Sequence, residues 1–281
     1  MLTTLFDQQV LVGLGQAAAA ICLCLGVVAL CRHFQVQVER ETVISLVRGL
    51  IQMSVVGLVL GFLLKGSLLI GAIILLGMVT AAAFTVSQRF PGLPYVFEIS
   101  LYSVGAGGFT AIVFMLLTKS LSTNITVLVP VGSMIIANSM NASAQAMERF
   151  RSDVFSHVGQ VEAALCLGAK PEVSVSPYVQ SAVYASLLPR LDMLKSLGLV
   201  WIPGVMAGML VTGASPLYAG IYQFVIVAMI LIASGVSGMG ATALMQRHAF
   251  SEAGQLLLRP TLGEAVAPAG FLARVFRRGA R

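Results

Sequence analysis

Along this chain, apolar residues come in blocks near twenty long, separated by short stretches that hold most of the charge. A helix rises 1.5 Å per residue and needs about 20 residues to cross roughly 30 Å of hydrocarbon, so each block reads as one crossing. Seven can be drawn, over residues 10–31, 43–64, 68–86, 99–117, 127–146, 197–211 and 219–245. The sixth is short for a crossing, and a start nearer Leu187 would lengthen it. One connection is unlike the others. Residues 147 to about 196 are charged, helical in pieces, and interrupted at Gly168, Pro171, Pro177 and Pro189. A connection of that length with its own periodicity reads as an organised element. The predicted fold class is all-α polytopic membrane protein, with a membrane domain over 1–245 and a basic tail over 246–281.

Composition agrees. Hydrophobic residues make up 58% of the chain and charged residues 10%, too few charges to cover a soluble surface. The net charge of +6 is unevenly placed. With the N-terminus outside, the inner loops and tail hold Arg32, Arg40, Arg89, Arg149, Arg151, Lys170, Arg190, Lys195 and the tail arginines, whereas the outer loops hold Lys65 and Lys119. The positive-inside rule therefore predicts N-out, C-in for a multi-pass plasma-membrane protein. No basic run is interleaved with aromatics, so nucleic acid is not an expected partner; the arginine-rich tail faces anionic lipid instead. The first block lacks a basic leader and an A-x-A site, and reads as a retained span. Cys22 and Cys24 fall about 200° apart on a helix, which suits neither a shared metal nor a disulfide framework.

Enzyme motifs are missing. There is no G-x-x-x-x-G-K-[ST], no H-E-x-x-H and no G-x-S-x-G, so no catalytic residue and no cofactor is assigned to this chain. His33, His157 and His248 all lie outside the apolar blocks, and no residues are assigned to a metal. Polar residues inside the blocks say more, because each is costly in hydrocarbon unless partnered. Ser45, Arg48 and Gln52 share one face of the second span; Met134, Asn138, Asn141 and Gln145 share one face of the fifth, with Met140 nearby. Such stripes either line a translocation pathway or hydrogen-bond neighbouring helices, and Arg48 can simply snorkel to the interface. Gly204 and Gly208, spaced G-x-x-x-G, predict close helix packing or, as the sharper alternative, a dimer seam, as do Ser103, Gly105, Gly107 and Gly108. Asp192 and Lys195, three apart on a helix, form either a local ion pair or an inner gate.

Within the long connection stands Glu162-Ala163-Ala164-Leu165-Cys166-Leu167-Gly168. This E-A-A-x-x-x-G run resembles the loop by which permeases of ABC importers dock on their ATPase. A short helix with Glu162 at its start, where the dipole favours an anion, and Gly168 as C-cap would make a rigid lever. The I-x-L-P that follows in many importers is absent at its usual spacing; Leu187-Leu188-Pro189 comes later.

Further stretches carry a wider resemblance: Val47-Arg48-Gly49-Leu50-Ile51-Gln52, Val104-Gly105-Ala106-Gly107, and Pro130-x-Gly132-x-Met134-Ile135 with Asn138 and Met140. Leu167-Gly168-Ala169, Pro189-x-x-Asp192-x-x-Lys195 and Pro203-Gly204-x-Met206-x-Gly208 follow in order. Together they resemble the Fet-type permeases of ABC transporters, a family with members among bacterial iron exporters and plant aluminium-tolerance proteins. The resemblance covers residues 40 to 245 and leaves out the basic tail. It implies a homodimer bound to two copies of a separate P-loop ATPase, which would hold the ATP and Mg. The segment Glu162–Gly168 would transmit ATPase closure to the spans. The implied activity is export of iron or a related metal, supporting resistance to metal and oxidative stress.

Two other functions stay open. Neutral amides line the stripes and no acid sits clearly in mid-span, whereas a hard cation prefers carboxylate oxygens. The cargo can therefore be a chelate or an organic solute such as a nucleotide sugar. A non-transporting membrane scaffold, moved by the same kind of ATPase, is the third expectation.

Overall fold

A computed structural model describes residues 8–34, 39–63, 68–91, 93, 95–251 and 254–258. Lys65 and the tail residues Arg274, Arg277, Arg278 and Arg281, weighed above for orientation and lipid contact, lie outside the described residues. Helices in chain order are α1 (Gln8–His33), α2 (Glu39–Leu63), α3 (Leu68–Ser87), α4 (Val96–Leu117) and α5 (Ile125–Ser156). They are followed by α6 (Val158–Cys166), α7 (Pro171–Ser196), α8 (Gly204–Val211) and α9 (Pro216–His248). The chain divides into two compact units, residues 1–66 and 67–281. In the first, α1 and α2 pack on each other as a helical pair.

In the second unit α5 and α9 form the central pair, with α4 against both, α3 on the α4–α5 side and α7 along the α5–α9 groove. Both central helices outrun a bilayer: α5 has 32 residues and α9 has 33, about 48 to 50 Å each. The side chain of Asn124 caps α5 by accepting from the Thr126 N–H, and α9 opens with Pro216 at its first position, where a missing N–H costs nothing. Two apolar clusters fill the unit. One, built on Val104, Met115, Ile135, Ile226 and Ile230, lies among α3, α4, α5 and α9. The other, built on Met147, Phe150, Val154, Val161, Val175 and Met245, lies at the end where α6 sits.

Lipid tails are as apolar as leucine, so close approach and polar contacts hold these helices together. The closest approach is a seam of small residues joining α4, α5 and α9. Ser103 and Ser143 hydroxyls lie 3.0 Å apart, and Ser237 Oγ donates to the Ser103 carbonyl at 2.9 Å. A methyl on Gly107 would meet the Ala233 carbonyl oxygen, Ser237 Cβ at 3.1 Å and Ser139 Oγ at 3.2 Å.

Five helices are long and apolar enough to cross a membrane among the described residues: those containing Gly15–Arg32, Leu68–Ser87, Val96–Leu117, Ile125–Ser156 and Pro216–His248. A shorter apolar stretch, Thr42–Gly57, belongs to α2. The predicted sixth span over 197–211 does not form. Gly198 adopts φ +77, Pro203 precedes the next helix, and α8 has eight residues, about 12 Å. Instead α7, the break at 197–203 and α8 together run antiparallel to α9. Gln246 of α9 bonds the Glu172 carbonyl, Gly238 lies against Ser186, Gly235 against Leu187, and Gly220 against Met206.

The expected interruptions at Pro177 and Pro189 are absent too, since both lie inside continuous α7. Their rings face outward. The opposite face is held by Val175, Ala182, Ser186 and Arg190, a buried stripe at helical spacing, so the lost backbone bonds do not break the helix. Beyond Met245, residues 246–251 and 254–258 still pack on the unit. After α9 ends at His248, Leu257 N–H bonds the Ala249 carbonyl at 2.8 Å, and Leu256 and Leu258 are buried in the cluster at the α6 end.

Gly107→Ala forces α4 and α9 apart and should destabilise by about 1–3 kcal/mol, the usual range for overpacking. Gly105→Ala, whose methyl would find only Val79 Cγ1 at 3.8 Å, should change little. Thermal unfolding of the detergent-solubilised variants measures both. Equal melting temperatures would show that the seam does not govern stability.

Candidate functional site

The α6 end is built from its cap outward. Gly168 sits at φ +86, its N–H bonds the Leu165 carbonyl and the Ala169 N–H bonds the Ala164 carbonyl. These are the two bonds of a Schellman motif, and only glycine takes the left-handed position at no steric cost. Val161, fully buried, pins α6 to the cluster of Phe150, Val154 and Val175. Tyr178 of α7 stacks on His157 at 5.2 Å and donates to Gln160 Oε1 at 3.1 Å, fixing the angle between α6 and α7. Ala163, Cys166, Leu167 and Gly168 are exposed; Leu167 is 89% exposed, as a residue packed inside the unit would not be.

Glu162 is not at the start of this helix. α6 begins at Val158, with no acidic residue in its first turn, so the dipole argument for Glu162 fails. Its half-buried side chain lines a groove with Leu165, Cys166, Ala169 and Pro171 on one wall and Gly254, Gln255, Leu256 and Leu257 on the other. The groove encloses about 830 Å³. Ala164 is half-buried between these faces.

On α5 the polar stripe exists, but it meets a helix. Arg190 of α7, 5% exposed, donates from Nη1 to Gln145 Oε1 at 2.8 Å and from Nη2 to the Asn138 carbonyl at 3.0 Å. Asn138 turns its own amide back to the Met134 carbonyl at 2.9 Å. Asn141 is half-buried and makes no side-chain hydrogen bond among the described residues, while Met134 and Met140 pack partly buried against the apolar clusters. Sequence reasoning counted Arg190 only as an inner-loop charge. Its spacing from Val175, Ala182 and Ser186 was the available signal, because it completes their stripe.

Arg48 and Gln52 are exposed on α2, in the first unit. Asp192 and Lys195 do form an ion pair, at 3.3 Å, with side chains 69% and 74% exposed, so it adds little stability. The close packing expected of Gly204 and Gly208 is not found within one chain: among the described residues nothing lies within 4 Å of a methyl at either, because α8 turns both away from α9. Gly107, Gly132 and Gly238 sit in the tight places instead: a methyl added to Gly132 would come within 2.7 Å of Leu75, and one added to Gly238 within 2.7 Å of Ser186 Oγ. Among the described residues no three of His, Cys, Asp and Glu converge into a metal-binding group.

Comparison with known proteins places this architecture. Residues 14–250 match the model of the Uncharacterised protein family (UPF0014). The chain is 33% identical over 254 residues to UPF0014 membrane protein STAR2 of Oryza sativa subsp. japonica, covering 89% of this chain and 88% of the relative. It is 34% identical over 246 residues to Protein ALUMINUM SENSITIVE 3 of Arabidopsis thaliana, covering 87% and 90%. To the Probable iron export permease protein FetB of Escherichia coli it is 25% identical over 242 residues, covering 86% and 93%. No solved structure matches. With its long apolar helices and a match running from α1 through α9, the chain is a multi-pass membrane protein and belongs to the UPF0014 family.

Proposed function

We propose that this chain is the membrane half of an ATP-driven ABC exporter, working as a homodimer with two copies of a separate P-loop ATPase that holds the ATP and Mg. The observation that carries this reading is the α6 module: a short helix capped at Gly168, clamped by Val161 and by the Tyr178–His157 stack, and offering Ala163, Cys166 and Leu167 outward. Such a peg transmits force only if it is rigid relative to the bundle and bare on the partner's side; the contacts of Val161 and Tyr178 support the first and the exposure of Ala163, Cys166 and Leu167 supports the second. The α6 end then faces the cytoplasm, with the N-terminus outside. Its cargo is iron or a related metal species, in keeping with the name of the Escherichia coli relative, a probable iron export permease. ATPase closure would push α6, and with it α5 and α7, between inward-open and outward-open arrangements.

A P-loop ATPase should copurify with the wild-type chain, and cells lacking the chain should retain more iron. Glu162→Lys and Gly168→Pro should reach the membrane yet lose ATP-dependent iron efflux from vesicles by about tenfold or more, the rate equivalent of 1.4 kcal/mol. Unchanged efflux in both would remove α6 from the coupling path.

The strap after α9 has its own test. A chain stopped after residue 258 should couple normally. One stopped after residue 248 exposes the surface that Leu256 and Leu258 cover, about 1.5–3 kcal/mol for each side chain, and should lose ATPase stimulation. ATPase rates of the two truncated complexes compare them directly.

A further inference from the structure

Arg190 is a charged residue in an unusual place. Asn138, whose carbonyl it binds, lies thirteen residues into α5, about 20 Å from the end at Ile125 and near the middle of the predicted fifth span. A guanidinium has five N–H donors. Here both acceptors, Gln145 Oε1 and the Asn138 carbonyl, are neutral, and Nε is buried with no acceptor among the described residues. The next carboxylate along α7, Asp192, is turned to Lys195 instead. An ion kept from water at this depth is stabilised by an opposite charge, and intramembrane ions without one belong to functional sites. The surroundings fit. α7 stops at Ser196 and the backbone breaks over 197–203 before α8, and discontinuous helices of this kind form the substrate sites of many transporters.

We propose that Arg190 is the anion-recognition residue of the transport route, and that the cargo presents a carboxylate or phosphate oxygen to it. Gln145 and the Asn138 carbonyl hold the guanidinium while no cargo is bound. A metal then travels as an anionic complex, because a bare cation would be repelled by Arg190 and finds no cluster of His, Cys, Asp and Glu among the described residues. This rests on the exporter reading, whose cargo it specifies.

The test uses the full chain in lipid nanodiscs without ATPase. Equilibrium dialysis measures ferric citrate, citrate, pyrophosphate and ferrous ion alone. At least one of the three anionic probes should bind saturably, with citrate against pyrophosphate telling carboxylate from phosphate recognition. Arg190→Gln should weaken that binding by about tenfold or more, the scale of a lost charged hydrogen-bond pair. Gln145→Leu, which removes a resting acceptor but keeps the charge, should bind as tightly or more tightly. A merely structural clamp predicts the opposite, with Gln145→Leu losing binding as Arg190→Gln does. If Arg190→Gln does not fold, Arg190→Lys and Gln145→Leu decide the matter: the first should weaken binding and the second should not. No saturable anion binding, binding of ferrous ion only, or equal affinity in wild type and Arg190→Gln overturns the proposal. Because no ATPase is present, failure of an ATPase to associate would undo the exporter reading without touching this result. Iron efflux that survives in Arg190→Gln would undo this inference alone.

Discussion

The contact on which the rest depends is the backbone approach of α4 to α9 at Gly107. In hydrocarbon, burying one apolar helix against another gains almost nothing over lipid, so helices stay together through fit and through polar groups with nowhere else to turn. At Gly107 the absence of a side chain lets the Ala233 carbonyl come in, and Ser103, Ser143 and Ser237 bond across the gap. With α4, α5 and α9 fixed by that seam, α7 has a groove to lie in. Its two interior prolines are tolerated because the groove, rather than its own hydrogen bonds alone, keeps it straight.

The second unit therefore has a fixed part and a carried part. The fixed part is the seam and the apolar cluster around Ile135 and Ile230. The carried part is everything joined to the far ends of α5 and α9: α6, the base of α7 and the strap ending at Leu258. These are tied to one another by the Tyr178–Gln160 bond, the Gln246–Glu172 bond and the burial of Val161 and Leu256. A push on α6 is thus shared by three elements and not absorbed by a loop.

Much of this was readable from residue order. The long spans followed from apolar length, the stripe on α5 from its steps of four, three and four, and the cap at Gly168 from the glycine itself. The misses have physical causes. Residues 197–211 have the apolarity of a span, but hydropathy does not register a backbone that Gly198 and Pro203 turn out of the helix. Glu162 reads as a first-turn residue in the sequence because the start of α6 has no side-chain cap to mark it. Gly204 and Gly208 have a packing motif's spacing, yet spacing cannot say which way an eight-residue helix faces. Arg190 was hardest, since beside Asp192 and Lys195 it looks like part of a wet surface. Only the placement of α7 reveals that its neighbours point outward while it points in.

α5 is unbroken from the seam to its last residue, Ser156, and this gives the molecule a gearing ratio. Ser143 is the seam residue nearest the foot; Gln145 is two residues further on, about 3 Å, and Ser156 thirteen, about 20 Å. Taking the seam as fulcrum, a swing of roughly 5 Å at the foot of α5 would arrive at Gln145 as about 0.8 Å, by the same rise per residue. That is a small displacement, but the bond to Arg190 is 2.8 Å long and is lost beyond about 3.5 Å. The helix would step a coarse motion down to the tolerance of one hydrogen bond.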